Sequence, residues 1–262
     1  MEEKYLVALV SVIKDDNIYL NEWIKHHIDI GVEEILVYDN NSKVPLVETA
    51  QSLPKEYLDR VIFKHLPCEE LPQNNAYRQA ASYYSDKSYW VLLLDVDEFL
   101  RLEDGWTLKS VAEFFKTNPN ISTVLLAWRN FNAGGQEHYR DAPVQERFTE
   151  YVDWQDINHG KTMVRPGCIT FVGVHNHYVV GFNTVQTDLL HHEPGTEIAA
   201  CYQKIWVDHY FTKSYEEWLW KLNRGTCDER YVRKYKEFFA YNPDMQDCYE
   251  EKYEKLVEGG LN

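Results

Sequence analysis

No apolar run in this 262-residue sequence approaches membrane-spanning length: the longest strictly apolar stretch is 89–94, against roughly 18 residues for a spanning helix. Cysteine is sparse, with five residues (Cys68, Cys168, Cys201, Cys227 and Cys248) and no C-x-x-C pair. That argues against a zinc ribbon or a disulfide framework and for reduced, structural thiols of a cytosolic protein. Positive charge is in deficit, 27 Lys plus Arg against 42 Asp plus Glu, for a net charge of −15. That argues against a nucleic-acid backbone as the main partner, because phosphate binding draws on clustered Lys and Arg. The opening Met1, Glu2, Glu3 and Lys4 show no basic segment ahead of an apolar one, so no secretory signal is expected. Internal repeats, low-complexity tracts and Ser/Gly-rich linkers are missing as well. The expected setting is cytoplasmic, with peripheral contact at the inner membrane face left open.

What the sequence has in quantity is aromatic residues: 19 Tyr, 11 Phe and 8 Trp, 15% of the chain. Such rings fill cores, and they also form platforms for flat or amphipathic ligands such as bases and sugar faces. Over the first 130 residues, short β-rich runs alternate with helical ones, the pattern of βαβ units and a mostly parallel sheet. Strands are expected at 5–13, 34–38, 60–65, 89–94 and 123–128, and helices at 17–30, 47–53, 73–85 and 107–116. Gly31 stands where a helix C-cap belongs, and Asp16 or Asn17 where an N-cap does. After Arg129 the rhythm gives way to a long loop with Gly134 and Gly135, then to β-like pieces at 161–165 and 169–174. Helices are expected again at 215–222, 229–240 and 245–257. The implied organisation is an α/β domain over 1–225 with a helical extension, 226–262, packed on it.

The sharpest chemical feature is WVLLLDVDEFL, 90–100, where an apolar strand runs into Asp95, Val96, Asp97 and Glu98. Alternation along a strand would point Asp95 and Asp97 the same way at its carboxyl end, where open α/β sheets bind ligands. Two carboxylates so placed repel each other unless a positive charge lies between them. A divalent ion, Mg²⁺ or Mn²⁺, held jointly with substrate phosphates, is the natural solution. The same local pattern occurs in haloacid-dehalogenase-like phosphatases, where the first Asp is a phosphoryl nucleophile. There the motif ends in Thr or Val on the first strand, whereas here it ends in Phe99 on about the fourth.

The remaining motifs resemble those of GT-A nucleotide-sugar glycosyltransferases, in the family-2-like group that also resembles glycosyltransferase family 92. The resemblance starts with VSVIKDDNIYLNEWIKHHIDIGVEEILVYDNNS at 10–42 and continues through the helix at 73–81 and DVDEFL. It resumes at LAWRNFNAGG (126–135), VQERF (144–148), KTMVRP (161–166) and HNHY (175–178), and closes with DHYFTKSYEEWLWKLNRG (208–225). It implies a GT-A fold and a metal-dependent, inverting transfer of sugar from a nucleotide-diphosphate donor, a UDP-sugar favoured, to a saccharide or glycan acceptor, the alternatives being a D-x-D metal-dependent phosphatase or a non-catalytic sugar-nucleotide-binding protein. A setting in surface-polysaccharide synthesis follows by analogy only.

Residue by residue, the resemblance places Asp39 and Asn40 at the nucleotide's base and ribose, with an Asx turn as the competing role for the following Asn41 and Ser42. Lys14 and Asp15 would line the same pocket, and Arg78 and Gln79 would lie near base or phosphates. Asp97 would hold the metal, Asp95 the ribose or the metal, and His209 would be a further ligand. Lys213 would meet phosphate, sharing a face with His209 if that segment is helical. His175 and His177 have the spacing of neighbours on one strand face; without an H-E-x-x-H helix or a Cys partner, contact with acceptor or donor hydroxyls is favoured over a zinc hydrolase centre. Trp128 could floor a sugar site or belong to the core. An inverting transfer needs a carboxylate base; the usual Glu-Asp pair of the family is absent, which leaves Glu146, Asp153, Asp156 and Glu193 of the variable half as candidates, Glu146 ranking ahead of Asp156. His26 and His27 require no function.

Overall fold

The computed structural model describes residues 4–67, 70–152, 160–169, 171–173, 175, 177–178, 182–191, 200–226 and 232–246. Their elements are β1 (Tyr5–Ile13), α1 (Asn17–Asp29), β2 (Glu34–Asp39), α2 (Leu46–Ala50), α3 (Lys55–Leu58), β3 (Val61–His65), α4 (Pro72–Tyr84), β4 (Ser88–Leu93), β5 (Glu98–Leu102) and α5 (Leu108–Lys116). These are followed by β6 (Ile121–Asn130), α6 (Val144–Arg147), β7 (Gly160–Val164), β8 (Phe171–Val172), β9 (His177–Tyr178), β10 (Asn183–Gln186), β11 (Ile205–His209), α7 (Tyr215–Arg224) and α8 (Glu237–Tyr241). They fall into two compact units, one within 1–129 and 154–209, the other within 130–153, 210–226 and 230–262.

The first unit is built on a sheet of strand order β3-β2-β1-β4-β7-β6-β11-β5, with β10 added beside β6. β3, β2, β1 and β4 run parallel, β7 runs antiparallel to both its neighbours, and β11 pairs antiparallel with β5. The expected α/β class, a mixed sheet with flanking helices, is the one observed. β1 is covered on both faces, which is why it reads as a continuous apolar run rather than an alternating one. One of its faces packs with Ala76, Tyr77, Ala80 and Tyr84 of α4.

α1 buries Leu20, Trp23, Ile24, His27 and Ile28, a 3.6-residue stripe. It ends before Gly31, whose φ of 114° only a residue without Cβ adopts easily. Asp16 occupies its N-cap position but makes no side-chain cap, and the Asn17 amide reaches Val44 O and Thr49 Oγ1 in the following loop. The capping role expected of this pair is therefore not what they do. α5 carries a capping box in which the Thr107 and Ser110 side chains exchange bonds with each other's backbone N–H.

His27 is fully buried, with Nδ1 2.8 Å from Trp23 O, while Nε2 lies 3.2 Å from the Leu100 N–H. An amide aimed at Nε2 fixes the neutral ring, protonated at Nδ1. Burial, and then the neighbouring His26, push its pKa well below the ordinary 6.5. The folded state thus binds fewer protons here than the unfolded chain, so stability contributed by His27 is present above about pH 6.5 and is lost as pH falls below it. Urea unfolding between about pH 5 and 8 should show a midpoint that declines below about 6.5, with a shallower decline in His27→Gln. A midpoint flat over that range would contradict this.

Four strands went unforeseen, β5, β9, β10 and β11; for β5 and β11 the reason is that DEFL reads as the tail of an acidic strand and 205–209 as the approach to a helix. Of the stretch 169–174, Phe171–Val172 is strand; of 229–240, the described part is helical only over Glu237–Tyr241. The helix expected at 245–257 lies, beyond 246, outside the described residues.

The second unit contains α6, α7 and α8 and has its own apolar cluster: Ala133, Trp218, Phe238, Phe239 and Met245. α7 starts at Ser214, whose hydroxyl accepts from Glu217 N, while the Glu217 side chain returns a bond to Ser214 N. The Glu217 carboxylate also receives both terminal nitrogens of Arg147, at 2.7 and 2.8 Å, with both side chains 1% exposed.

Candidate active site

The carboxyl ends of β1, β2 and β4 lie along one edge of the sheet, and the acidic segment sits there. It is not the end of a strand. β4 stops at Leu93, and Asp95 to Glu98 form a turn closed by Glu98 N donating to Asp95 O at 3.1 Å. The alternation argument for Asp95 and Asp97 accordingly fails: within a turn the two side chains go to different neighbours. Asp95 accepts from Gln73 Nε2 at 2.9 Å on one oxygen and from Lys161 Nζ at 2.8 Å on the other. Asp97 Oδ1 lies 3.9 Å from His209 Nε2.

Strand pairing explains both neighbours. β5 leaves the turn and pairs with β11 so that His209 stands opposite Glu98, bringing the imidazole beside Asp97. β7 enters between β4 and β6, and Lys161 immediately precedes Thr162, the partner of Leu93. Its side chain is fully covered. Gly160 makes that approach possible, since a Cβ there would sit 2.5 Å from Leu126 O.

Positive charge is thus already supplied to the acidic turn from within the chain, at Asp95 and Glu98 rather than between Asp95 and Asp97. Lys161 also lies 3.6 Å from Glu98 Oε2, so Asp95 is its nearer partner. Burial would lower the Lys161 pKa, but the charges of Asp95 and Glu98 outweigh it and hold the ammonium protonated. Glu98 is fully buried; burial pushes its carboxyl well above the ordinary range, with Asp95 and Asp97 adding to this and Lys161 opposing it. Lys161, Glu98 and Gln73 were not singled out from the sequence. The available signals were a lysine opening the apolar MV of KTMV and a glutamine in the first turn of the helix preceding the acidic strand.

Trp128 forms the adjoining wall. Its ring is 4.5 Å from that of His209, tilted by 31°, and 5.2 Å from that of His175, edge to face. It is buried, so packing His209 is its visible role. His175 precedes β9 while His177 opens it, so the two do not share a strand; nothing is described of the His177 side chain.

Elsewhere along the edge, the loops after β1 and β2 are tied together. Asp15 N donates to Ser42 Oγ at 3.0 Å, and Lys43 N to Asp15 Oδ1 at 2.7 Å. Asp39 accepts from Ser42 N and Leu46 N, both at 2.9 Å, closing its own turn and starting α2. Asn40 is buried and donates to Leu66 O at 3.0 Å. Lys14 is half-buried beside them. Arg78 and Gln79 are exposed on α4, whereas Gln73 of the same helix reaches the acidic turn.

Lys213 and Glu146 belong to the second unit. Lys213 is buried in the non-helical link between β11 and α7, at φ 54°, so the shared helical face with His209 does not exist. Glu146 is exposed on α6. Asp156 lies outside the described residues.

Among the described residues no group of three or more His, Cys, Asp or Glu converges in a way that would hold a metal by itself. A carboxylate and an imidazole 3.9 Å apart are nevertheless a sound partial donor set for Mg²⁺ or Mn²⁺, which commonly take one or two protein carboxylates and complete their shell from phosphates. Asp97 and His209 fit such an ion; Asp95, with both oxygens engaged, fits it less well. No described helix is long and apolar enough to cross a membrane.

The sequence profile of glycosyltransferase family 92 matches residues 7–237. A family 92 protein of Ricinus communis is 24% identical over 194 residues, 71% of this chain and 34% of that protein. One of Oryza sativa subsp. japonica is 23% identical over 174 residues, 66% of this chain and 29% of that protein. The chain therefore spans about a third of the length of the curated relatives it matches. Among solved structures, residues 1–349 of Staphylococcus aureus TarS are 13% identical, covering 62% of this chain and 48% of that one at a TM-score of 0.38. Glucosyl-3-phosphoglycerate synthase from Mycobacterium tuberculosis, in complex with Mn²⁺, UDP and glucosyl-3-phosphoglycerate, is 15% identical, covering 63% and 58% at 0.36. Assignment rests on the sequence profile rather than on these structures, and with the match running from within β1 into α8 the chain belongs to glycosyltransferase family 92.

Proposed function

We propose that this chain transfers a sugar from a nucleotide-diphosphate donor, a UDP-sugar in the first instance, to a saccharide or glycan acceptor, with a divalent ion and with inversion at the anomeric carbon. The observation that carries the reading is the acidic turn at the carboxyl edge of the sheet, with Asp97 set against His209. In this proposal Asp97 and His209 hold Mn²⁺ or Mg²⁺, which when bound neutralises charge developing on the departing nucleoside diphosphate.

The chain's own groups do the rest. Asp95, held by Gln73 and Lys161, fixes the turn and faces the donor's ribose side. The tied loops carrying Lys14, Asp15, Asp39 and Asn40 shape the nucleotide end of the site. Trp128, buried against His175 and His209, backs the wall assigned to the sugar ring. The base that takes the acceptor hydroxyl proton is a carboxylate. Acceptors are placed in the class of surface glycans, including lipid-linked ones at the inner membrane face.

Thermal unfolding with UDP, GDP, CDP and TDP, each with and without Mn²⁺, tests this. A ligand that binds only the folded state raises the melting temperature by mass action, by about 2.7 kcal/mol of stability at a hundred times its dissociation constant. UDP with Mn²⁺ should give the largest shift. No shift from any nucleotide under any metal would overturn the reading.

A further inference from the structure

Lys161 has a position that the transfer reaction does not by itself require. Its side chain is wholly buried, it comes from a strand 66 residues away from Asp95, and it ends between two carboxylates of the acidic turn. Burying an ammonium is costly unless it is paired. Here the pairing is directed to Asp95 and Glu98 and not to Asp97.

The consequence for the turn is a division of its three carboxylates. Both oxygens of Asp95 are engaged, one by Lys161 and one by Gln73. Glu98 is sealed from solvent; one of its oxygens accepts from Asp95 N at 2.8 Å and lies near Lys161, and the other has no hydrogen-bond partner among the described residues. Asp97 alone is directed at His209. Among the described residues this leaves two donors, Asp97 and His209, for an ion that seeks six oxygen or nitrogen ligands, and the donor's diphosphate is the group suited to supply others.

Resting on the transferase reading above, we propose that Lys161 is a positioning residue: the resident cation of the acidic turn, which occupies Asp95 and Glu98 and so makes capture of the divalent ion conditional on the diphosphate. The ion would then enter with the nucleotide rather than ahead of it. Without the ammonium, Asp95 would turn from a neutralised neighbour into an additional anionic donor, and the turn would bind the free ion.

Free Mn²⁺ is counted by electron paramagnetic resonance in titrations of the full chain, with and without UDP, for wild type and Lys161→Met, circular dichroism confirming the fold. Wild type should bind Mn²⁺ weakly alone and about tenfold or more tightly with UDP; Lys161→Met should bind the free ion about tenfold more tightly than wild type and lose most of the dependence on UDP. Should Lys161→Met fail to fold, Glu98→Gln/Lys161→Met removes the buried charges together and carries the same expectation. Loss of a nearby positive charge by itself raises affinity for the free ion and for the ion with UDP alike, so the discriminating reading is the lost dependence on UDP. If UDP binds but wild type holds Mn²⁺ equally well without it, or if the lysine variant leaves free-ion affinity unchanged, the proposal is wrong and the transferase reading stands. If UDP binds at no Mn²⁺ concentration, the transferase reading falls and takes the proposal with it.

Discussion

Asp97→Ala should lower sugar transfer by about a thousandfold, equivalent to about 4 kcal/mol of transition-state stabilisation, while leaving the melting temperature almost unchanged. The carboxylate is one of the two groups turned toward the proposed cation position, His209 Nε2 being the other at 3.9 Å. Its loss does not strand a buried charge, because Lys161 is held by Asp95 and Glu98. It also relieves a repulsion, since Asp97 is among the charges that push the Glu98 carboxyl upward. Asp95→Asn should behave differently. It deprives a fully covered ammonium of its nearest counter-charge, and the expected result is a loss of about 2–3 kcal/mol in stability as well as activity. Transfer from a radiolabelled UDP-sugar and thermal unfolding, measured on both variants, separate the two roles. Retention of more than about a tenth of wild-type transfer by Asp97→Ala would remove Asp97 from the centre of the site.

In the second unit, Arg147→Ala should cost about 3–5 kcal/mol, the loss expected when one partner of a buried ion pair is removed and the other stays behind. Arg147 and Glu217 are each 1% exposed and bonded through both terminal nitrogens of the guanidinium. The same glutamate completes the capping box of α7, so an unpaired charge there also loosens the start of that helix. Arg147 further donates to Ala142 O at 3.0 Å and lies over the rings of Tyr139 and Phe148, so its removal opens a cavity besides. A fall of roughly 10 °C in melting temperature is the expected reading for a chain of this size. Arg147→Met/Glu217→Met, which removes both charges and keeps volume, should recover much of it. An unchanged melting temperature in Arg147→Ala would show that water reaches Glu217.

The sequence by itself determined the class of fold, because its signals there are local. β1 is an apolar run buried on both faces, α1 a stripe of Leu20, Trp23, Ile24, His27 and Ile28, and Gly31 a stop that only a residue without Cβ makes easily. These report on burial and backbone geometry within a few residues, and the boundaries drawn from them differ from the observed ones by a residue or two in α1, β2, α4 and β4. The acidic segment and the family were legible in the same way, as patterns along the chain.

What tertiary structure decided is which of those acidic groups meets which partner. Asp95 and Asp97 read as equivalent only so long as the segment is a strand; a turn at Asp95 to Glu98 sends one to Lys161 and the other to His209. Both partners arrive through strand pairings across long sequence separations: β7 between β4 and β6, and β11 against β5. A strand of five residues carries almost no sign of which distant strand it will join, since that choice is settled by the packing of whole faces and not by the run itself. Lys161 is the clearest case: in the sequence it is one cation among 27, and only the sheet, by closing β7 onto β4 and β6 with Gly160 allowing the close approach, makes it the buried counter-charge of the site.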